Sequence, residues 1–312
     1  MKVLVTGGAG FIGSHVSDQL IAAGHQVVIV DNLSTGRVSN LNPKAVFYEM
    51  DIRSPELRKV FEQERPEVIS HHAAQMDVRR SVADPIFDAE VNILGSIKLA
   101  QLAIEFGVRK FIHISSGGAA YGEPVYMPCD ENHPVQPLSP YGASKYTFEL
   151  YLYIFKETAG LDYTVLRYPN VYGPRQDPHG EAGVVAIFIG HMLHGKPVTI
   201  FGTGEQVRDF VYVADCARAN LLALEKGGGR VYNLASGVGT SINQIFDALK
   251  AITGYPDVAL FAPPKPGETF RIYLDASRAQ QELGWQQTLD LTAGLQQTVE
   301  YFHQVELQAP SG

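Results

Sequence analysis

The chain has 312 residues, 45% hydrophobic and 19% charged, a balance that excludes wholesale disorder. Its 25 basic residues against 33 acidic give a net charge of −8, and with no basic tract this excludes non-specific nucleic-acid binding as its role. Two cysteines without metal-type spacing (Cys129, Cys216) exclude a disulfide framework, and the absence of a signal-like or membrane-length apolar run makes the cytosol the expected setting, with no membrane partner.

Strands and helices alternate through the first half. Residues 3–5 are a short β-branched run, glycines follow at once, and 15–23 have helical spacing. Strands are expected at 27–30, 46–50 and 68–71, with a helix at 57–64 that stops before Pro66. Residues 91–106 read as a strong helix with Ile93, Ile97, Ala100 and Ile104 on its apolar face, closed by Gly107. A strand at 110–115, a helix at 141–158 closed by Gly160 and a strand at 163–168 complete the alternation. Such a pattern needs crossover connections, so the expected fold is α/β, a Rossmann-type doubly wound parallel sheet with helices on both faces. From Pro169 onward Pro and Gly become denser, and helical stretches remain at 184–194, 215–225, 242–253 and 276–283. This predicts a first domain over 1–168 and a smaller C-terminal α/β substrate domain over 169–312, closing over the carboxyl ends of the strands. The chain is expected to re-enter the first domain near 211–225, and 305–312 read as a loose end.

Gly7-Gly8-Ala9-Gly10-Phe11-Ile12-Gly13 follows the first strand and opens the first helix. Gly7 permits a tight turn, Gly10 lets backbone approach a pyrophosphate, and Gly13 lets helix and strand pack closely. The helix N-terminus adds unpaired N–H groups for the anion. With Asp31 ending the second strand about 20 residues on, the pattern reads as a dinucleotide site. A carboxylate accepts from a ribose 2′-OH and repels a 2′-phosphate, so NAD is expected over NADP. Asn32 and the turn Ser34-Thr35-Gly36 extend the site, although Arg37 just beyond would favour a phosphate. Asp51 and Ile52 are placed to flank the adenine, and His72, Ala73, Ala74 and Gln75 end the fourth strand where the cofactor passes. The pair His71-His72 lacks an i,i+4 partner, and no metal is expected there.

Tyr141-Gly142-Ala143-Ser144-Lys145 puts Tyr and Lys on one helix face at i and i+4. With 15 Tyr and 25 basic residues, about one such pair arises by chance, so position carries the meaning: this one follows the fifth strand of a nucleotide-binding sheet. An ammonium, helped by a positive nicotinamide ring, would favour tyrosinate and pull Tyr141 down from about 10 towards neutrality. Tyrosinate then serves as general base to a sugar hydroxyl.

Residues 1 to about 285 resemble the extended short-chain dehydrogenase/reductase family, and within it the nucleotide-sugar epimerases. The resemblance rests on residues 6–15, Asp31-Asn32-Leu33-Ser34, residues 115–122, Tyr141 to Lys145, Arg167-Tyr168-Pro169-Asn170-Val171-Tyr172-Gly173-Pro174-Arg175-Gln176, Arg208-Asp209-Phe210-Val211-Tyr212-Val213, and Pro266-Gly267-Glu268 followed by Leu274-Asp275-Ala276-Ser277. It implies NAD-dependent 4-epimerisation of UDP-glucose and UDP-galactose through a 4-keto intermediate. Other UDP-sugars (UDP-N-acetylglucosamine, then UDP-glucuronate), a reductase or a non-catalytic NAD sensor are the alternatives. It extends the cofactor contacts to Asn92, Ser115, Tyr168 and Pro169.

One position departs from the family pattern. A Ser or Thr usually stands four residues before the Tyr of the Tyr-Gly turn, here Tyr121-Gly122, and Gly117 holds that place. Ser116, a water, or direct transfer to Tyr141 are the substitutes. Gly118-Ala119 cannot do the acid–base work of a 4,6-dehydratase.

A UDP-sugar carries two negative phosphates, which an acidic protein must meet with local positive charge. Arg208 is the first candidate and Arg271 the second. By resemblance, Lys265 lies where relatives carry a phosphate-binding Arg, Asn170 contacts the pyrophosphate, Glu268 the uridine ribose, and Val185 borders the uracil. Asp177, where uronate enzymes carry Arg, favours a neutral hexose, and Ile272, smaller than Tyr, leaves room for an N-acetyl group. Apolar residues to spare on 91–106 and 146–158 (Tyr151, Tyr153, Phe155) predict a homodimer.

Overall fold

The structure is a computed structural model and describes residues 1–179, 183–264 and 269–308. Its strands are β1 (Lys2–Thr6), β2 (Gln26–Asp31), β3 (Val46–Glu49), β4 (Val68–His71), β5 (Lys110–Ser116), β6 (Asp162–Tyr168), β7 (Asn170–Tyr172), β8 (Thr199–Phe201), β9 (Val207–Arg208), β10 (Phe210–Tyr212), β11 (Arg230–Asn233), β12 (Thr240–Ser241) and β13 (Leu260–Ala262). Its α-helices are α1 (Phe11–Ala22), α2 (Leu57–Glu64), α3 (Val78–Ala83), α4 (Pro85–Ala89), α5 (Ser96–Glu105), α6 (Gly117–Ala120), α7 (Pro140–Ala159), α8 (Val184–Leu193), α9 (Val213–Ala223), α10 (Ile242–Thr253) and α11 (Leu291–Gln308).

Seven parallel strands form the central sheet in the order β11-β6-β5-β4-β1-β2-β3, the doubly wound arrangement expected. The register aligns Thr6 with Val30 and His71, and Ser116 with Tyr168. The carboxyl ends therefore lie along one edge, and the glycine turn, Asp31, His72 and Ser116 are brought to it. The apolar, β-branched strands are buried on both faces. Val16 and Leu20 of α1 and Ala219 and Ala223 of α9 cover one side; Val60 and Phe61 of α2, Leu99 and Ala103 of α5, and Phe148 and Leu152 of α7 cover the other. A third core joins α8, α10 and α11 around Ile189, Phe246 and Leu295.

Helix α7 has its ends fixed locally. The Ser139 hydroxyl accepts from Gly142 N at 3.1 Å, Pro140 sits in the first turn, and Gly160 closes the helix at φ 73°. Three expectations need correction. The stretch 91–106 is not one α-helix: a π-helical turn at Glu90–Gly95 precedes α5. The extra residue of that turn rotates the helix, so Asn92, Ser96, Leu99 and Ala103 are buried while Ile93, Ile97 and Ile104 are only half-buried. The expected helix at 276–283 is present over 277–283, its last five residues (Ala279–Leu283) forming a π turn. Residues 305–308 are not a loose end but the last turn of α11. The sheet also gains a seventh strand, β11, from beyond residue 168. Helix α9 packs on α1, within the stretch 211–225 where the chain is expected to re-enter.

Candidate active site

The glycine turn is shaped by contacts that only hydrogen leaves room for. Gly7 has φ 70°, and a β-carbon there would come 2.6 Å from Ala73 N; one on Gly13 would come 2.2 Å from the Gly7 carbonyl oxygen. One on Gly10 would meet only that oxygen, at 3.2 Å, leaving its other side open. Phe11 and Ile12 are half-buried at the start of α1. Asp31 is buried, and its two oxygens accept from Ala9 N at 2.9 Å and Leu33 N at 2.8 Å. The carboxylate is held by backbone with lone pairs remaining for diol hydroxyls. Gly36 stands against it, 2.9 Å from its Oδ1 to an added β-carbon. The donor set fits NAD.

Asn32 donates to Asp51 Oδ2 at 3.0 Å, and its Oδ1 accepts from Ser34 N at 3.1 Å. Asp51 is gripped by the Arg53 guanidinium at 2.9 Å through both oxygens, which holds its carboxyl at about 2 despite partial burial. Ile52 is buried against Gly95. His72, Ala73 and Ala74 are half-buried at the ends of the central strands. Gln75 is buried: its N accepts nothing but donates to Asn92 Oδ1 at 2.9 Å, and its amide donates to Asp88 Oδ1 at 3.0 Å. Asn92 also donates to Asp88 Oδ1 at 3.0 Å and to Ser144 Oγ at 3.2 Å, tying α4 and the π turn to α7 beside Lys145. Asp88 escaped the sequence reading. Asp-Pro at 84–85 marks a helix start, but nothing in the spacing says that Asp88 turns inward.

Tyr141 and Lys145 lie on one face of α7, as their spacing requires. Ser116, the N-cap of α6, faces Tyr141 by hydrogen bonding, and it also accepts from Ala119 N at 3.2 Å. Burial pushes the Tyr141 phenol up to about 12; the Ser116 contact opposes this and the Asp88 charge adds to it. The expected fall towards neutrality is thus not produced by the protein's own groups, because desolvation outweighs them. Burial also draws Lys145 down, to about 8, against the charges of Glu149 and Asp88. Glu149 and Arg167 form a buried bidentate pair, 2.6 and 3.0 Å, beneath this helix. Burial works against the Arg167 charge, and Glu149 more than restores it.

Two expected cofactor contacts are turned elsewhere. The Ser115 hydroxyl donates to Glu149 Oε1 at 2.6 Å, and the Tyr168 ring packs against α9, its hydroxyl accepting from Asn220 at 2.5 Å. Alternation along β5 and β6 sends both side chains into the sheet's flanks. Pro169 remains at the strand end, half-buried.

The place of the missing family hydroxyl is occupied. A β-carbon on Gly117 would come 2.3 Å from Leu274 Cδ1, whereas one on Gly118 would meet only Asn170 Oδ1 at 3.8 Å. Asn170 therefore faces the same turn, held there by β7–β10 pairing. Arg208 and Arg271 come together on neighbouring segments: Val207 bridges Arg271, and Arg208 donates to the carbonyls of Val207 and Phe270 at 2.9 and 3.3 Å. Buried Asp209 gathers these segments, accepting from Ser236, Gly237 and Leu274. Val185 is buried in α8, and Ile272 is buried in the same apolar cluster as Tyr121 and Cys129. Lys265 and Glu268 lie outside the described residues. Asp177 does not stand as a free charge: it pairs with Arg37 at 3.1 Å. That contact also answers the expectation that Arg37 would favour a phosphate.

Fold and site together define a dinucleotide-dependent enzyme of the doubly wound α/β class. Residues 3–235 match the model of the NAD dependent epimerase/dehydratase family, and the chain belongs to that family, with NAD as its cofactor. The UDP-glucose 4-epimerase of Mycolicibacterium smegmatis is 46% identical over 308 residues, 97% of this chain and 98% of that protein. The crystal structure of Thermotoga maritima UDP-glucose 4-epimerase with UDP-glucose superposes with a TM-score of 0.97 at 53% identity, covering 98% of this chain and all 100% of the other. The Thermus thermophilus UDP-glucose 4-epimerase complex with NAD gives 0.93 at 43%, covering 97% and 99%. No described helix is long and apolar enough to cross a membrane.

Proposed function

We propose that the protein is an NAD-dependent 4-epimerase that interconverts UDP-glucose and UDP-galactose through a 4-keto intermediate. The observation that carries this is Ser116 hydrogen-bonded to Tyr141 at the carboxyl edge of the sheet, with Lys145 one turn further along the same helix and Gly118 and Ala119 where a dehydratase needs acids. Gly7, Gly10, Phe11, Ile12, Gly13, Asp31, Asn32, Ser34, Thr35, Gly36, Ile52, the His72–Gln75 edge and Pro169 hold the cofactor. Bound NAD⁺ supplies the acceptor for the C4 hydrogen and a positive ring that lowers the Tyr141 phenol.

Tyr141 takes the O4 proton and returns it. Ser116 shares that proton in place of a residue at 117, and Lys145 holds its positive charge beside the phenol. Arg208, Arg271 and Asn170 clamp the nucleotide phosphates while the sugar ring turns over, so that both faces of C4 are presented in succession. The division of labour between residues 1–168 and 169–312, a cytosolic setting and a homodimer complete the proposal. Because Asp177 is paired with Arg37, rejection of a uronate does not follow from its charge.

The test is the purified protein with UDP-galactose and no added NAD. UDP-glucose formation is expected, lost in Tyr141→Phe. Stoichiometric consumption of added reduced cofactor instead would make it a reductase, and no turnover at all a sensor. UDP-N-acetylglucosamine and UDP-glucuronate as parallel substrates define the sugar range.

A further inference from the structure

After β7 the chain returns from the second half of the molecule to the elements that carry the glycine turn. Three successive contacts anchor it there. The Pro174 carbonyl accepts from His15 Nε2 at 2.9 Å, Arg175 Nη2 pairs with Asp18 Oδ2 at 2.8 Å, and Asp177 Oδ2 pairs with Arg37 Nη2 at 3.1 Å. His15 and Asp18 lie on the first turns of α1. Arg37 hangs from the Asp31 loop: its N donates to the Ala9 carbonyl at 3.0 Å, and Ala9 N donates to Asp31 at 2.9 Å. Every anchor thus grips an element that shapes the dinucleotide turn, and none grips the sugar side.

The anchors differ in kind. The His15 ring is largely enclosed, and burial lowers its pKa, so it is neutral at pH 7 and donates through Nε2. The Arg175 pair is mostly shielded, and Arg175 holds φ 68°, a left-handed conformation that a side-chain-bearing residue keeps only when its surroundings fix it. The Arg37 pair is half-exposed and weak alone. The three contacts are successive along four residues and grow more exposed from Pro174 to Asp177.

We propose that residues 174–177 are a latch that retains NAD, with Asp177 and Asp18 as its two charged catches. The purpose rests on the epimerase reading: a reaction that leaves its cofactor unchanged gains from not releasing it, whereas an enzyme that exchanges cofactor each turnover would be slowed. The latch itself requires only that NAD binds.

NAD-loaded protein is diluted into alcohol dehydrogenase and ethanol, which reduce free NAD and report its release at 340 nm independently of any sugar. Asp177→Asn is expected to release NAD a few-fold faster, and Asp18→Asn with Asp177→Asn about tenfold faster, since tenfold corresponds to about 1.4 kcal/mol in the release barrier. Arg37→Gln should match Asp177→Asn, and adding one to the other should change nothing further. At saturating NAD, kcat stays within about twofold of wild type. Release at the wild-type rate in Asp177→Asn and Arg37→Gln, both exposed and conservative changes, overturns the proposal even if the double variant is unstable. Slow release in wild type and fast release in the variants, without epimerisation of UDP-galactose, keeps the latch and removes the epimerase reading.

Discussion

Gly117 and Leu274 make the departure from the family pattern a matter of space. A serine at 117 would place its β-carbon 2.3 Å from Leu274 Cδ1, so the buried leucine must move to admit it. We expect Gly117→Ser to lower stability by about 1–3 kcal/mol without raising activity, and Leu274→Ala in the same chain to relieve the clash. Denaturant titration with the UDP-galactose assay checks both, and an active, fully stable Gly117→Ser would show that the turn moves freely. Lys145 supplies a second test. Its folded-state pKa is lowered from 10.5 to about 8, mainly by burial. Between those values the unfolded chain binds the proton and the folded chain does not, so cofactor-free protein should gain stability as pH rises through this window. Activity should fall there, as the positive charge one helical turn from Tyr141 disappears. Lys145→Met should lose the stability gain, and parallel stability profiles in the two proteins would refute the assignment. The glycine turn, Asp31, Tyr141 and Lys145 were legible in sequence because each is set by local spacing on a strand or helix end. Asp88 and Leu274 were not, because each approaches the site by a tertiary contact that no periodicity reports.

Helix α7 connects the site to the core. Its turns carry Tyr141, Lys145 and Glu149 in succession, and Glu149 binds Arg167 of β6 and Ser115 of β5. The Arg167 guanidinium in turn donates to Tyr121 at 2.8 Å, whose hydroxyl donates to Asn233 of β11 at 2.8 Å. One buried polar chain thus fixes the helix on three neighbouring strands, β5, β6 and β11. Glu149→Gln leaves Arg167 enclosed without its counter-charge, and we expect a loss of about 3–5 kcal/mol in unfolding free energy. It also removes the negative charge that supports the Lys145 proton, so the basic limb of the activity profile should move to lower pH. A variant less stable but with an unmoved limb would separate the structural role from the electrostatic one. The main helices and strands of the sheet were legible from their periods. The C-terminal helix α11 is not legible in the sequence although Leu295, Val299 and Phe302 are buried along one face, because Gly294 and the glutamines dilute its pattern. Gly294 has a reason visible only in three dimensions: a β-carbon there would come 2.1 Å from the Tyr172 hydroxyl oxygen.

At the scale of the whole molecule, the apolar surface is unevenly spread. Ile86, Leu94, Leu150, Tyr153 and Ile154 are 72, 54, 48, 57 and 46% exposed. Leu150, Tyr153 and Ile154 follow helical spacing along the outer face of α7, and α5 and the π turn pack beside it. The π turn leaves Leu94 exposed, with Ile93 and Ile97 only half-buried beside it. A contiguous apolar face on two neighbouring helices is costly to leave in water, and a two-fold axis between two copies would cover it with the same face reversed. We expect the protein to sediment near twice its 34.1 kDa chain mass. Leu150→Asp with Ile154→Asp places two carboxylates on the face of each copy, four across the axis, and should give a monomer. Since these side chains lie on the face of α7 opposite Glu149, the variant should keep its NAD and lose activity only insofar as the dimer steadies the helix. Wild-type protein that sediments as a monomer at micromolar concentration would show that this face serves something other than a second copy.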